Sequence, residues 1–290
     1  MILIIGGSGF LGYYLHHGLI ASGEKIISTY YKNRIEEENF CYLNITNTKS
    51  TIKLIQKIQP DIIIYASGIT DVDLCEKNKK LARAINVDGI KNVIDGAKNY
   101  GSKIIYISTS AVFDGSKRFY LETDKTNPIS YYGKTKLDGE KVVINSGLPN
   151  MIIRTDQPYG WKKNWHHTNS VLRIMTTLEQ GKNFEEISDW YNTPTYVEDF
   201  VKATIRLIDK EQTGFFHVVG IDYDNRFNFS KKVCDAFGFK QDKIQKINSK
   251  DLKLPARRVN VKLVSKKIAS FNITMLSFSK GLEKMKMVVS

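Results

Sequence analysis

The sequence predicts an α/β fold, a doubly wound parallel sheet with a smaller C-terminal part, on three observations. The chain opens on Ile2 to Ile5, an apolar run too short for a helix, which breaks directly into spaced glycines at Gly6, Gly9 and Gly12. Further runs of strand length, Ile62 to Tyr65 and Lys103 to Ile107, alternate with stretches of helical pattern, as in parallel strands covered on both faces. The 290 residues, 42% of them hydrophobic, can bury a full core and suit one large domain with an appendage. No Pro/Ser/Gly-rich linker, low-complexity tract or internal repeat divides them.

The first strand leads through a tight turn into a helix from Phe10 to Ala21, ended by Ser22-Gly23. Gly6 allows the turn, Gly9 lets a pyrophosphate approach the backbone, and Gly12 lets the helix pack closely on the strand. Together with the amides and positive dipole of the helix start, Gly6, Ser8, Gly9, Phe10, Leu11 and Gly12 form a dinucleotide-binding turn. Lys25 to Thr29 is the second strand. A site choosing NAD places Asp or Glu just after it to bind the ribose 2′-hydroxyl. This chain instead has Tyr30, Tyr31, Lys32, Asn33 and Arg34, and its acidic run, Glu36 to Glu38, comes too late. Tyr31, Lys32 and Arg34 therefore predict a 2′-phosphate pocket and NADPH; the alternative is that the two cations are ordinary loop charges.

Cys41 to Ile45 reads as a third short strand, followed by a helix from Thr48 to Ile58 and by the strand Ile62 to Tyr65, which opens into Ala66-Ser67-Gly68. Right-handed crossovers put the C-terminal ends of all strands on one edge, so Asn44, Ile45, Ala66, Ser67 and Gly68 are expected in the same crevice as the glycine turn. A long helix from Leu81 to Tyr100 carries Asn86, and the strand Lys103 to Ile107 ends in Ser108-Thr109. A strand from Met151 to Arg154 and helices over Ser170 to Gln180 and Phe200 to Ile208 follow. The expected division is a Rossmann-type domain over residues 1–155 and a substrate-binding part over 156–290, with segments of the latter returning to the main sheet.

The net charge of +13 raises the question of nucleic acid. The lysines are spread along the whole chain, and the denser groups at Lys77 to Lys80, Lys162-Lys163 and Arg257 to Lys267 lack the aromatic interleaving of a base-stacking surface. Attraction of small anions is the better account, and nucleic acid is not an expected partner. No apolar run approaches a membrane span and no cleavable leader is visible, so a cytoplasmic protein without a membrane partner is expected. Three isolated cysteines, Cys41, Cys75 and Cys234, predict free buried thiols and no metal site. The His16-His17 pair is expected on the surface of the first helix.

Between Asn127-Pro128 and Glu140, a turn runs into a helix on which Tyr132 and Lys136, four apart, share a face. Placed after a strand ending in Ser-Thr, in a chain that carries a dinucleotide turn, the pair is specific. The whole pattern resembles the extended short-chain dehydrogenase/reductases, and among them the dTDP-4-dehydrorhamnose reductase family. The resemblance rests on the GGSGFLG turn, Thr70 to Asp73 with Glu76, Asn86-Val87, Ser108-Thr109 through Gly115, and the Tyr131 to Glu140 helix. It continues through Arg154-Thr155, Tyr159-Gly160, Pro194 to Asp199 and Phe216 to Gly220.

The resemblance implies Thr109, Tyr132 and Lys136 as the catalytic residues, with Tyr132 and Lys136 also on the cofactor. It makes Asn86 the helix asparagine that holds a water or backbone near the site. It implies NADPH-dependent reduction of a nucleotide-linked 4-keto-6-deoxy sugar, without a metal, and allows a homodimer. Tyrosine is a weak acid at pH 7, so Lys136 is expected to shift Tyr132 downward. Thr70, Ser110, Tyr159, Trp161, Trp165, His166 and Asn169 are the expected substrate contacts. The donor- and ring-rich segment from Asp156 to His167 would bind the nucleoside diphosphate or sugar ring; the alternative is that Trp161 and Trp165 anchor a loop in the core and the histidines face solvent. The family also resembles the regulatory beta subunit of methionine adenosyltransferase, which leaves a cofactor-binding regulator as the rival reading. One departure bears on substrate. Rhamnose-pathway reductases read Ser-Thr-Asp-Tyr-Val-Phe after this strand, and here Ser110-Ala111 stands in the middle.

Overall fold

The computed structural model describes residues 1–288. In chain order the first half comprises β1 (Ile2–Ile5), α1 (Phe10–Ala21), β2 (Ile26–Tyr30), β3 (Phe40–Tyr42), α2 (Thr48–Ile58), β4 (Ile62–Tyr65), α3 (Val72–Lys77), α4 (Lys79–Arg83), α5 (Gly89–Ala97), β5 (Lys103–Thr109) and α6 (Tyr131–Ile144). The second half comprises β6 (Asn150–Thr155), β7 (Pro158–Tyr159), α7 (Ser170–Glu179), β8 (Phe184–Ile187), β9 (Tyr191–Asn192), β10 (Thr195–Tyr196), α8 (Val197–Asp209), β11 (Gly214–His217), β12 (Asp224–Asn225), α9 (Arg226–Phe237), β13 (Ile244–Ile247), α10 (Lys266–Ala269) and α11 (Phe278–Met287).

Seven strands form one parallel sheet in the order β11-β6-β5-β4-β1-β2-β3. The order reverses direction between β1 and β4, and a ligand crevice opens beyond the strand ends at such a switch point. β11 comes from beyond residue 155 and pairs Phe216 with Ile153 at the sheet edge. Alternate strand residues face opposite layers. Ile2, Ile4, Ile64, Ile105 and Ile153 pack toward α1 and α8, and Leu3, Ile5, Ile63, Ile104 and Ile152 pack toward α2 and α5. Burial on both faces is why these strands read as continuous apolar runs. A separate core built on Val171, Ile174, Phe229, Val233, Phe278 and Leu282 joins α7, α9 and α11 beside the parallel pair β8 and β13.

Three elements differ from expectation. The single helix over Leu81 to Tyr100 is α4, a π-helical turn at Ala84–Asp88, α5 and a 3₁₀ turn at Lys98–Tyr100. Carbonyls at the π turn are taken by side chains: Tyr65 Oη donates to Ile85 O at 2.7 Å and Tyr106 Oη to Asn86 O at 3.4 Å. The third strand ends at Tyr42, because Asn44 accepts from the Thr46 amide and hydroxyl and so makes a turn. His16 is the third. It belongs to the buried stripe of α1, is 1% exposed, and lies on Phe40 with Nδ1 2.8 Å from Ser28 Oγ. Burial pushes its pKa down to about 4 and keeps it neutral; His17 beside it is exposed. Cys75 and Cys234 are buried, Cys41 half-buried, and all three are free thiols. Among the described residues no helix is long and apolar enough to cross a membrane.

One buried ion pair ties the three central elements together. Arg154 on β6 donates from Nε and Nη2 to both oxygens of Glu140 on α6, at 3.0 and 2.7 Å, and Ser108 on β5 donates to Glu140 Oε1 at 2.5 Å. Removing one member strands the other charge in the core. Glu140→Ala should therefore lower unfolding stability by about 3–5 kcal/mol in urea titrations; a loss under about 1 kcal/mol, as for an exposed pair, would show the pair to be structurally idle.

Candidate active site

The glycine turn is built for two internal reasons and one external one. Gly6 has φ +87°, and a Cβ there would sit 2.8 Å from the Ser67 backbone. At Gly12 a Cβ would run into the Gly6 carbonyl. Gly9 differs: its φ of −78° suits any residue, it is exposed, and the nearest atom to an added Cβ is Gly6 O at 3.2 Å. The fold restricts this position less than Gly6 or Gly12, although an added Cβ would press on the Gly6 carbonyl, and its exposure leaves the backbone open to an approaching ligand. No side chain caps α1, so its first amides remain free for an anion. Gly6 N donates to Thr29 Oγ1 at 3.0 Å, fixing the turn to β2. Ser8 is buried in the turn, and Phe10 and Leu11 are half-buried.

The other expected cofactor contacts lie on the same edge. Ala66, Ser67 and Gly68 follow β4, beside Gly6. Asn44 is held in its turn and Ile45 is in the core. Tyr31, Lys32 and Arg34 are exposed after β2, with Arg34 Nε 3.9 Å from Glu36 Oε1. That is an exposed and weak pair, which leaves Arg34 available to a stronger anion.

Thr109 ends β5 and Tyr132 lies in the first turn of α6, which Ser130 caps by accepting from Gly133 N at 3.2 Å. The structure brings the two side chains together: Tyr132 is 8% exposed and its phenol meets the Thr109 hydroxyl. Burial pushes the phenol pKa up to about 12, against the pull of Thr109. This departs from the expected downward shift. Lys136 is also buried, with Nζ donating to Ile107 O at 2.7 Å and lying 4.0 Å from the Tyr106 ring, and burial pushes its pKa down to about 7. A lysine so close to neutrality does little to draw the proton off its neighbour. Asn86 is the hub behind the pair. It accepts from Ile69 N at 2.8 Å and donates to Ile69 O and Thr135 Oγ1, so here it holds backbone.

The expected substrate contacts separate. Thr70 is exposed beyond β4, and Ser110, buried, follows Thr109. Tyr159 is a core anchor, buried with its hydroxyl on Phe278 O at 3.2 Å. Asn169 caps α7 by accepting from Leu172 N and donates to Gly160 O. The Trp161 to His167 segment lies against the glycine turn and α1. Trp165 Nε1 donates to Ser8 O at 3.2 Å, Trp161 Nε1 to Met285 O at 2.7 Å, and Tyr14 Oη to Trp161 O. His166 is buried between Phe10, Tyr13 and Trp165, while His167 faces solvent. With both indole donors on backbone carbonyls, this segment clasps the cofactor turn. Sequence reading missed Asn192 and Thr193 and marked Asp156 only as the start of the donor-rich segment; with Ser110 they meet at the Asp156 carboxyl. Asp156 is buried one residue beyond Thr155, which pairs in register with Thr109. Its position at a strand end was the available signal.

Residues 1–289 match the family described as RmlD substrate binding domain. The chain belongs to this family. Within it, the chain is 30% identical to the dTDP-4-dehydrorhamnose reductase of Salmonella typhimurium over 75% of its own length and 72% of that protein. It is 26% identical to the methionine adenosyltransferase 2 subunit beta of Rattus norvegicus over 94% of its length and 82% of that protein. A crystal structure of a dTDP-4-dehydrorhamnose reductase from Bacillus anthracis in complex with NADP superposes with a TM-score of 0.88 at 28% identity, covering 99% of this chain and 98% of that one. The parallel sheet and glycine turn are thus those of an extended short-chain dehydrogenase/reductase.

The conformation of Gly9 supplies a direct test of the turn in this family member. Gly9→Val should leave the thermal midpoint nearly unchanged while weakening NADP binding, read by calorimetry, at least about tenfold, since one or two lost backbone contacts to phosphate account for that much. Unchanged affinity would remove the turn from the cofactor site.

Proposed function

We propose that the protein is an NADPH-dependent reductase of a nucleotide-linked 4-keto-6-deoxy sugar, with Tyr132 as proton donor and residues 156–290 as the substrate-binding part. The observation that carries the reading is the meeting of Thr109 and Tyr132, with Lys136 buried one turn further along the same helix, on the edge that holds the glycine turn. The dihydronicotinamide, when bound by the Gly6 to Gly12 turn, supplies the hydride. This chain's own residues manage the oxygen. As negative charge develops on the carbonyl oxygen, Tyr132 gives it the phenol proton and Thr109 steadies it by a hydrogen bond. Burial holds the phenol near pKa 12, protonated when the substrate arrives but a weaker acid, so its proton leaves only as basicity develops on the carbonyl oxygen. In its charged form Lys136, one turn further along the same face of α6, lowers the cost of forming the phenolate.

Tyr132→Phe keeps the ring and removes the acid. Turnover should fall by about 10²–10⁴, the usual contribution of a positioned acid, with NADPH affinity nearly unchanged. Wild-type turnover of the Phe variant would refute the assignment. A native protein that binds NADPH but reduces none of a panel of nucleotide-linked 4-keto sugars would favour the regulatory reading suggested by its methionine adenosyltransferase beta-subunit relatives.

The cofactor preference rests on Lys32 and Arg34 standing after β2 where no carboxylate does. NADPH should bind more tightly than NADH at low salt, and the difference should shrink as salt rises, because exposed cations are screened. Equal affinities by calorimetry at low ionic strength would assign the two cations to the solvated surface.

A further inference from the structure

Beside Ser110 the structure buries an acid that the reduction itself does not use. Asp156 is 7% exposed, yet no cation reaches it: among the described residues it enters no ion pair, and Arg226, the charge that acts on it, is committed to Glu186 at 2.9 and 3.2 Å. Its carboxyl is held by neutral donors alone. Ser110 Oγ donates to Oδ1 at 2.9 Å, Thr193 N donates to Oδ2 at 2.8 Å, and the Asn192 side chain contributes a third hydrogen bond. A carboxylate accepts about four hydrogen bonds, so one position stays open.

Two more polar atoms at this place lack partners. Asn192 Oδ1 and Thr193 Oγ1 are both buried with no hydrogen bond inside the protein. A polar atom buried without a partner has lost its water and gained nothing in return, so a ligand that completes it is favoured. The set is acceptor-rich: an open carboxylate position, an amide oxygen, and one hydroxyl able to donate or accept. Its complement is a neutral ligand presenting several hydroxyl donors, which describes a sugar ring and excludes a phosphate. The cluster also has the right address. Asp156 lies one residue past the Thr155–Thr109 pair, and it is close enough to Tyr132 for its charge to act on the phenol. The carboxylate that the Ser110 substitution removes from one strand end is thus supplied from the neighbouring one.

We propose that Asp156, with Asn192 and Thr193, receives ring hydroxyls of the keto sugar and is the residue that sets substrate specificity. The proposal rests on the reductase reading above. A site built to hydrogen-bond a hydroxyl rejects the analogue lacking it far more strongly than an apolar pocket can, since the buried groups are then left unpaired.

The test compares kcat/KM for an accepted nucleotide-linked 4-keto sugar with its 2-deoxy and 3-deoxy analogues, using the full chain and NADPH. The native protein should favour the parent over at least one analogue by about 10²-fold or more. Asp156→Asn should narrow that ratio at least about tenfold, raising KM for the parent more than it lowers kcat. Thr193→Ala guards against a folding defect, because it removes a hydroxyl that nothing in the protein uses. Its thermal midpoint should hold while KM for the parent rises. Two variants that keep the native discrimination would reduce the cluster to a loop anchor and overturn the proposal, with the reductase reading intact. A native protein that turns over none of the sugars would overturn both readings at once.

Discussion

The chemistry at this sheet edge depends on one buried ion pair, Glu140 with Arg154. Glu140 stands one helical turn beyond Lys136 and two beyond Tyr132, so whatever fixes Glu140 fixes the face that carries the reacting groups. Both of its oxygens are engaged by Arg154, and Ser108 closes one of them, linking α6 to two adjacent strands. A bidentate guanidinium resists rotation as well as separation, which a single lysine contact would not. The flat faces of Phe113 and Phe215 on the guanidinium complete its enclosure. Tyr132 is thereby presented to Thr109 by a helix that can neither slide nor roll, and preorganisation of this kind is what proton donation requires.

A second constraint works from the opposite side of the edge. Asn86 sits on a π turn, and its amide spans from the Ile69 backbone to Thr135 on α6. The same helix is therefore pinned from the loop after β4 as well as from β5 and β6. On the cofactor side, Trp165 and His166 close over Ser8 and Phe10 from a segment that belongs to the second half of the chain. The two halves meet on the glycine turn itself, and a ligand settling there would touch both.

Much of this was legible in the sequence because it follows from periodicity and from residues with few alternatives. The central strands β1, β4, β5 and β6 read correctly since both faces are buried, and the glycine turn since φ +87° at Gly6 admits little else. What escaped depends on partners distant in the chain. His16 reads as a surface residue, and only Ser28 and Phe40, brought over by β2 and β3, make it a buried one. Tyr159 and Trp161 have the composition of a sugar site, but their polar tips end on carbonyls of α11, more than a hundred residues away. Asp156 shows the opposite: it reads only as the edge of a donor-rich segment, and its own importance is invisible until Ser110, Asn192 and Thr193 close around it.

The site then holds two acids that burial drives in one direction from very different starting points. Tyr132 rises to about 12, out of the physiological range, while Asp156 rises only to about 6 and remains ionised at neutral pH. The separation agrees with the roles proposed for them, one as a proton donor and the other as a fixed acceptor. It also couples them, because the charge on Asp156 raises the cost of forming the phenolate nearby. Reduction begins with a neutral phenol, which that charge favours; oxidation of the alcohol would need the phenolate first, which it opposes. Such coupling leaves the overall equilibrium untouched, since that belongs to the substrates alone. It deepens the neutral state from which the proposed reduction starts and leaves the charge developing on the carbonyl oxygen to draw the proton off.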